Sequence, residues 1–222
     1  MVPLAFVDIL TDNFDAFATG FGTTARIVVL SFVIAMVVGT LVAAFRVAPN
    51  KWLQRAGAIY VEFFRNIPLL VLLFISFPGL RRAGVEITAI VAGVASLGLY
   101  TAAYVAESLR SGVFSVSTGQ IEASLSLGFS YPQTLRRIVL PQAFRTVISP
   151  LGSLIIAMIK NSAILGGSIL ALDDLLKAGR VIQSRTFETV PSFVWAASGY
   201  LILTGLATVA IRWLETRYAV RR

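Results

Sequence analysis

The sequence predicts an all-α membrane protein with five transmembrane helices. Of its 222 residues, 57% are hydrophobic and only 14% are charged, and the mean hydropathy is +0.82. These values do not suit the surface of a soluble globular domain. Long uncharged apolar runs support the same conclusion, because about 20 such residues are needed to cross a hydrocarbon core of about 30 Å.

Three of the five predicted spans consist mainly of long, uncharged apolar runs. With their flanking residues they occupy about 24–45, 87–106 and 191–211. Each contains close to the number of apolar residues that one crossing requires. These segments therefore predict the first, third and fifth transmembrane helices.

The second and fourth predicted spans are shorter. An uncharged run that ends at Leu80 is long enough only if the helix begins near Tyr60, which gives a span of about 60–80. The fourth span, about 146–172, has its apolar run interrupted at Lys160, and we expect the helix to be broken near 160–162. A buried soluble helix would look similar, but between three strong spans a membrane helix is favoured.

The distribution of basic residues predicts the orientation of the chain. An arrangement with the N-terminus outside and the C-terminus inside follows the excess of Lys and Arg in cytoplasmic connections. It places the following basic residues on the cytoplasmic side: Arg46, Lys51, Arg55, Arg65, Arg110, Arg136, Arg137, Arg145, Arg212, Arg217, Arg221 and Arg222. One external connection opposes it, with three basic residues accompanied by three acidic ones: Lys177, Arg180, Arg185, Asp173, Asp174 and Glu188.

Composition also excludes several classes of function. The chain has no cysteine and no histidine, so disulfides, thiolate chemistry and the common transition-metal sites are excluded, and no metal site is predicted. The adjacent carboxylates Asp173 and Asp174 have no neighbouring groups that complete a site, and we expect them to be solvated. No basic residue precedes Arg26, so no signal peptide is expected. The net charge of +8 follows the predicted topology and does not indicate nucleic-acid binding.

The third connection, 107–145, is too polar to span a bilayer but has helical signals. Ser117 begins a capping-box pattern, and Gly128 suits the left-handed position that ends a helix. A second helix is predicted to begin at Pro132 and to end near Pro141. On these signals alone the connection is either an amphipathic loop on the bilayer surface or a docking element for a soluble partner.

This connection carries a spaced motif, E-A-small-x3-G-x9-I-x-L-P, formed by Glu122, Ala123, Ser124, Gly128, Ile138, Leu140 and Pro141. It resembles the EAA loop of the permease subunits of bacterial ABC importers. Ser124 replaces the family's second alanine, one small residue for another. Further segments resemble the polar amino acid branch of that family: Glu62–Leu70 (E-x-x-R-x-x-P-L-L), Tyr104–Gly112, Gly119-Gln120, Pro141-Gln142-Ala143 and Lys160-Asn161-Ser162 (K-x-[ST]).

The resemblance implies a MetI-like fold in the cell inner membrane, in which this chain pairs with a second permease subunit, identical or homologous. It also implies two ABC ATPase subunits beneath the membrane, which hold ATP and Mg, and an extracytoplasmic binding protein that delivers the amino acid. The chain itself is then expected to bind no cofactor and to catalyse no reaction. It contains no G-x-x-x-x-G-K-[ST] phosphate loop. Substrate specificity is implied to lie largely in the binding protein.

Some functional residues are implied by the resemblance, and others are predicted from helical spacing and charge. The resemblance implies that the motif residues form the loop that couples to the ATPase. In the family pattern Glu62, Arg65 and Pro68 stand at the cytoplasmic start of the second span, where structural or gating roles are expected. The alternative for Glu62 and Arg65, which are one turn apart, is a simple ion pair on the helix. Glu107 and Arg110, one turn apart, are expected to form a structural ion pair.

A lysine deep in a span is costly unless it faces a partner or an aqueous cavity. If the fourth helix begins near Thr146, Lys160 lies about 21 Å along it, inside a core of about 30 Å. Lys160, Asn161 and Ser162 are therefore candidates for the substrate pathway, where the ammonium would meet the carboxylate of an amino acid. The alternative is that Lys160 reaches outward or binds backbone carbonyls at the break.

Two other classes of function fit the sequence less well. A secondary transporter or channel normally contains inverted repeats or more spans. A membrane-embedded enzyme would have only carboxylates and lysine as reactive groups. The absence or presence of neighbouring genes for an ATPase and a binding protein discriminates between these classes and an ABC permease.

Overall fold

A computed structural model describes residues 2–168, 170 and 172–218, and all regular structure in these residues is helical. Arg221 and Arg222 lie outside the described residues, as do positions 169 and 171 of the predicted fourth span. In chain order the elements are α1 (Val2–Asp12), α2 (Phe14–Val47), α3 (Lys51–Asn66), α4 (Leu69–Phe74), the π-helical turn π1 (Ile75–Gly79), α5 (Leu80–Arg82), α6 (Ala89–Phe114), α7 (Thr118–Ser126), α8 (Tyr131–Thr134), the π-helical turn π2 (Leu135–Val139), α9 (Leu140–Gly167), α10 (Leu175–Thr186) and α11 (Thr189–Tyr218).

Four helical stretches of the described residues are long and apolar enough to cross a membrane. They are α2, α6, the continuous helix α8–π2–α9 and α11, with 34, 26, 37 and 30 residues. A fifth exists if α3 and the segment from α4 to α5 count as one bent span. The all-helical architecture is confirmed, with the predicted five spans as the upper count.

The core forms where α2 and α6 cross closely. A side chain at Gly39 would lie only 2.7 Å from Val105, so the two backbones approach within a distance that only glycine permits. The buried hydroxyl of Ser31 in α2 donates to the carbonyl of Val94 in α6 at 3.1 Å. Small residues and hydroxyl-to-backbone bonds of this kind drive helix association in membranes, where the lipid removes most of the hydrophobic driving force.

The predicted second span over 60–80 is not one straight helix. α3 ends at Asn66, and the axis turns by 100° before the apolar segment that begins at Leu69. Ile67 is extended, with φ −90° and ψ 132°, because the ring of Pro68 disfavours helical geometry in the preceding residue. The two halves therefore cannot both run along the membrane normal.

The predicted connection 107–145 is largely helix and only partly loop. α6 continues to Phe114, and the helix of the fourth span already begins at Tyr131, so only 115–130 joins the two long helices. The second helix predicted in this connection was expected to end near Pro141. That prediction is wrong, because the helix continues through Pro141. The wider turn π2 ends just before Pro141 and gives room for its ring, which would clash with a carbonyl in a regular α-helix.

The predicted break near 160–162 is also wrong, because α9 continues without interruption to Gly167. Lys160 is exposed on its surface, so the helix has no need to unwind around a buried charge. The helix ends where Arg180 donates to the carbonyl of Gly167 at 3.0 Å. A cation at this position satisfies one of the carbonyls left free at a helix end.

Candidate functional site

The short helix α7 has a well-defined C-terminal cap but no side-chain hydrogen bond at its N-cap. Gly128 has φ +85°. Its N–H donates to the carbonyl of Leu125, and the N–H of Phe129 donates to the carbonyl of Ser124. These two bonds form a Schellman motif, which confirms the prediction that Gly128 ends the helix in the left-handed conformation. The capping-box prediction at Ser117 is wrong, because its side chain makes no cap hydrogen bond.

Side chains attach α7 to the helix of the fourth span. The hydroxyls of Ser124 and Thr134 lie 2.8 Å apart, and both side chains are buried. The amide of Gln142 donates to Gln120 at 2.7 Å and to the carbonyl of Ile138 at 3.0 Å. Since buried hydroxyls are costly to leave unpaired, these contacts make α7 and the start of the fourth span one unit.

The motif residues divide between two surfaces of this unit. Glu122 and Ala123 are exposed on α7, beside Leu127, which is 79% exposed. On the following helix Leu140 is exposed and Ile138 is partly buried. The exposed face of α7 therefore combines one carboxylate, small residues and an uncovered leucine, a surface on which a partner protein can pack. Pro141 is also exposed.

A polar cavity of about 220 Å³ lies between α6 and α9. Its polar wall comes from Asn161 on α9 and from Tyr100 and Tyr104 on α6, whose hydroxyls are 3.1 Å apart. The rest of the lining is largely apolar and includes Leu154 and Met158. Hydroxyl and amide groups in an otherwise apolar cavity can both donate to and accept from a polar solute.

The structure separates the three candidates for the substrate pathway. Asn161 lines the cavity, whereas Ser162 is buried and its hydroxyl donates to the carbonyl of Ile159 at 2.7 Å. Lys160 is exposed, one helix position from Asn161, and does not line the cavity. The two tyrosines were not identified from the sequence, although their spacing of four residues puts them on one helix face.

The predicted charged pairs have different outcomes. Glu107 and Arg110 form the expected ion pair, and Arg46 approaches the same carboxylate at 3.6 Å. Within the described residues, however, Glu62 and Arg65 form no ion pair, and Arg65 lies over the ring of a cavity tyrosine, 5.5 Å from its centre. Pro68 stands at the N-cap position of α4.

The prediction that Asp173 and Asp174 are both solvated is wrong for Asp174. Its side chain is fully buried, caps α10 by accepting the N–H of Lys177 at 2.8 Å, and accepts the hydroxyl of Tyr200 at 3.3 Å. The next N–H, of Leu175, donates to the buried Thr24 of α2 at 3.2 Å. Burial raises the pKa of Asp174, and the hydrogen bonds from Lys177 and Tyr200 lower it in part.

Asp173 is exposed, and its carboxylate accepts from the ammonium of Lys177 at 2.7 Å. No group of three or more acidic residues in the described chain could hold a metal ion.

The profile of the family described as "binding-protein-dependent transport system inner membrane component" matches residues 35–220. The chain belongs to this family. Its members are permease subunits, and hydrolysis of ATP takes place in a separate subunit of the importer, so the predicted family, fold and transport class are confirmed.

Individual permeases match nearly the whole chain. A probable glutamine ABC transporter permease of Bacillus subtilis is 40% identical over 211 residues, which cover 95% of this chain and 97% of the relative. A glutamate transport system permease of Corynebacterium glutamicum is 37% identical over 217 residues, which cover 91% of this chain and 93% of the relative. The crystal structure of an amino acid ABC transporter with histidines superposes with a TM-score of 0.88 at 30% identity, covering 94% and 96% of the two chains.

Proposed function

We propose that this chain forms half of the translocation pathway of an ATP-driven importer for a polar amino acid of the glutamine or glutamate type. It works in the cell inner membrane, paired with a second permease subunit that is identical or homologous. Two ATPase subunits, which bind ATP and Mg, contact its cytoplasmic loop, and an extracytoplasmic binding protein delivers the substrate. The names of the nearly full-length relatives support this substrate class.

The observation that carries the proposal is the attachment of α7 to the fourth span. A partner that moves the exposed face of α7 also moves the helix Tyr131–Gly167, because Ser124 and Gln120 bind directly to it. The same continuous helix bears Asn161 in the polar cavity, about 40 Å from Thr134 at 1.5 Å per residue. Because this helix is continuous, a displacement of the loop can reach the cavity.

Lys160 has a different place in this mechanism. It lies seven residues before the end of the helix, about 10 Å along the axis, and its side chain is exposed on the surface of the chain. We propose that this surface faces the second permease subunit, so that the ammonium borders the pathway between the two subunits. A charge in that position is tolerated because the pathway contains water.

Transport by the reconstituted complex of permease, ATPase and binding protein tests these roles. Lys160→Met and Asn161→Leu are expected to assemble and to keep basal ATP hydrolysis, while uptake of the amino acid falls by about tenfold or more, the cost of one charge-assisted hydrogen bond. Ser153→Ala, an exposed position two turns earlier on the same helix, is the matched control and should transport normally.

Normal uptake by both variants would remove these residues from the pathway. Failure of Lys160→Met to assemble would assign the lysine a structural role in place of the transport role. Stimulation of ATP hydrolysis by glutamine and by glutamate, each added with the binding protein of the complex, tests the substrate class separately.

A further inference from the structure

We infer that a basic pocket where α2, α3 and α6 meet binds the phosphate of an anionic phospholipid. The pocket has a volume of about 470 Å³ and is lined by Arg46, Lys51, Gln54, Arg55, Arg110 and Phe114 among others. It combines the last turn of α2, the first two turns of α3 and the last turns of α6. Neither α7 nor the polar cavity contributes a residue to it, so the pocket is separate from the proposed transport machinery.

The charges of this pocket are not balanced within the described chain. Arg46 and Arg110 share one carboxylate, that of Glu107, with Arg110 Nε 3.0 Å from Glu107 Oε1. Lys51 and Arg55 form no ion pair with any described residue. Four cations therefore face one anion. An anionic ligand would relieve their mutual repulsion, and phosphate oxygens match the donors of arginine well.

The surface beside the pocket indicates that the anion belongs to a lipid. Trp52, Ile59 and Phe63 lie on one face of α3 and are 77%, 68% and 54% exposed. This apolar stripe adjoins the helix edge that carries Lys51 and Arg55, and the guanidinium of Arg55 lies 5.7 Å from the centre of the Trp52 ring. A free phosphate would leave the stripe uncovered, whereas acyl chains would cover it while the headgroup occupies the pocket.

Both features are those of an interfacial helix. An apolar stripe next to a basic edge is the pattern of helices that bind anionic membrane surfaces, and tryptophan is enriched at the depth of the headgroups. Basic pockets between the ends of transmembrane helices bind lipid phosphates. A lipid bound here would hold α3, just ahead of the 100° turn at Ile67, against the end of α6.

Native mass spectrometry of the purified full-length chain tests this inference. The protein is incubated with equal amounts of phosphatidylglycerol and phosphatidylcholine, and bound lipids are counted. The wild type should prefer phosphatidylglycerol, and Lys51→Gln/Arg55→Gln should lose about tenfold or more of that preference, since each basic residue near a membrane surface contributes several-fold. Lys51 and Arg55 are both exposed, so the variant should fold.

Two further variants distinguish a site from general charge attraction. Arg212→Gln/Arg217→Gln removes the same charge near the end of α11, where Arg217 also lies over a tryptophan but outside the pocket, and should keep the preference. Lys51→Arg/Arg55→Lys keeps both charges and should also keep it. Equal loss in the α11 control, or no preference in the wild type, would overturn the inference. Displacement of the lipid by millimolar inorganic phosphate would also overturn it, by identifying the ligand as a soluble anion.

Discussion

Asp174 shows how one residue holds several helices together at the end of the bundle. It caps α10, accepts from Tyr200 of α11, and stands next to the backbone N–H that binds Thr24 of α2. A buried charge of this kind is retained only when hydrogen bonds compensate the loss of solvation. Its raised pKa indicates that the compensation is incomplete, so ionising this carboxyl costs more in the folded chain than in the unfolded chain.

This imbalance predicts a pH-dependent stability. Because the pKa of Asp174 is raised on folding, its stabilising contribution is complete below the unfolded value of about 3.9 and is lost as the pH rises through the folded value. Asp174→Asn does not titrate, so the Tm of the wild type relative to this variant should fall as the pH is raised from about 4. Thermal unfolding in detergent measures the difference.

The matched control is Asp173→Asn, because Asp173 is exposed and pairs with Lys177 on the helix surface. This control should show little change relative to the wild type across the same pH range. A constant difference between wild type and Asp174→Asn at every pH would contradict the predicted role of burial.

At the scale of elements, the important unit is α7 together with the fourth span. The Schellman turn at Gly128 sets the angle between them, and the contacts of Ser124 and Gln120 fix it. Apart from its neighbours in the chain, no described residue has an atom within 4 Å of the position that a Cβ would take at Gly128, so the requirement for glycine there comes from the backbone conformation. A residue that resists positive φ would strain the turn by about 1–3 kcal/mol.

Substitution of Gly128 separates the turn from the contact with the ATPase. Gly128→Val should reduce coupled transport strongly, because a β-branched residue is strained at φ +85°. Gly128→Asn should stay near wild type, because asparagine tolerates the left-handed conformation. Substrate-stimulated ATP hydrolysis and uptake by the reconstituted complex are the measurements. Equal loss in both variants would show that close approach of the partner, and not the turn, requires glycine.

At the scale of the whole molecule, the two ends of the bundle differ in charge. The basic pocket of α2, α3 and α6 lies at one end, as does the connection that carries α7. The turn around Asp174 follows the opposite end of the fourth span. The excess of basic residues in cytoplasmic connections predicts that the α7 end lies in the cytoplasm.

Cysteine labelling tests this orientation, and the natural chain has no cysteine to interfere. Asp12→Cys and Asp173→Cys should react with an impermeant thiol reagent added outside the cell, and Ser126→Cys should not. All three positions are exposed, whereas Thr134, at the start of the following helix, is buried and would not report on orientation. The opposite pattern of labelling would reverse the proposed topology.

The sequence alone determined the fold class, the family and the end of helix α7. Apolar runs of about 20 residues predict membrane helices because lipid cannot satisfy backbone polar groups, and this constraint acts locally. A glycine at the end of a polar helix is equally local, and Gly128 has the expected conformation. The ion pair of Glu107 and Arg110 followed from helical spacing for the same reason.

Only the tertiary structure decided what depends on contacts between distant segments. The burial of Asp174, the pairing of Ser124 with Thr134, and the cavity that joins Asn161 to the tyrosines of α6 all require helices to meet. The course of the helices through Pro141 and past Lys160 was likewise mispredicted. Proline and lysine signals describe a local cost. A π-helical turn accommodates Pro141, and Lys160 lies outside the packed interior of the bundle, so the helix does not break there.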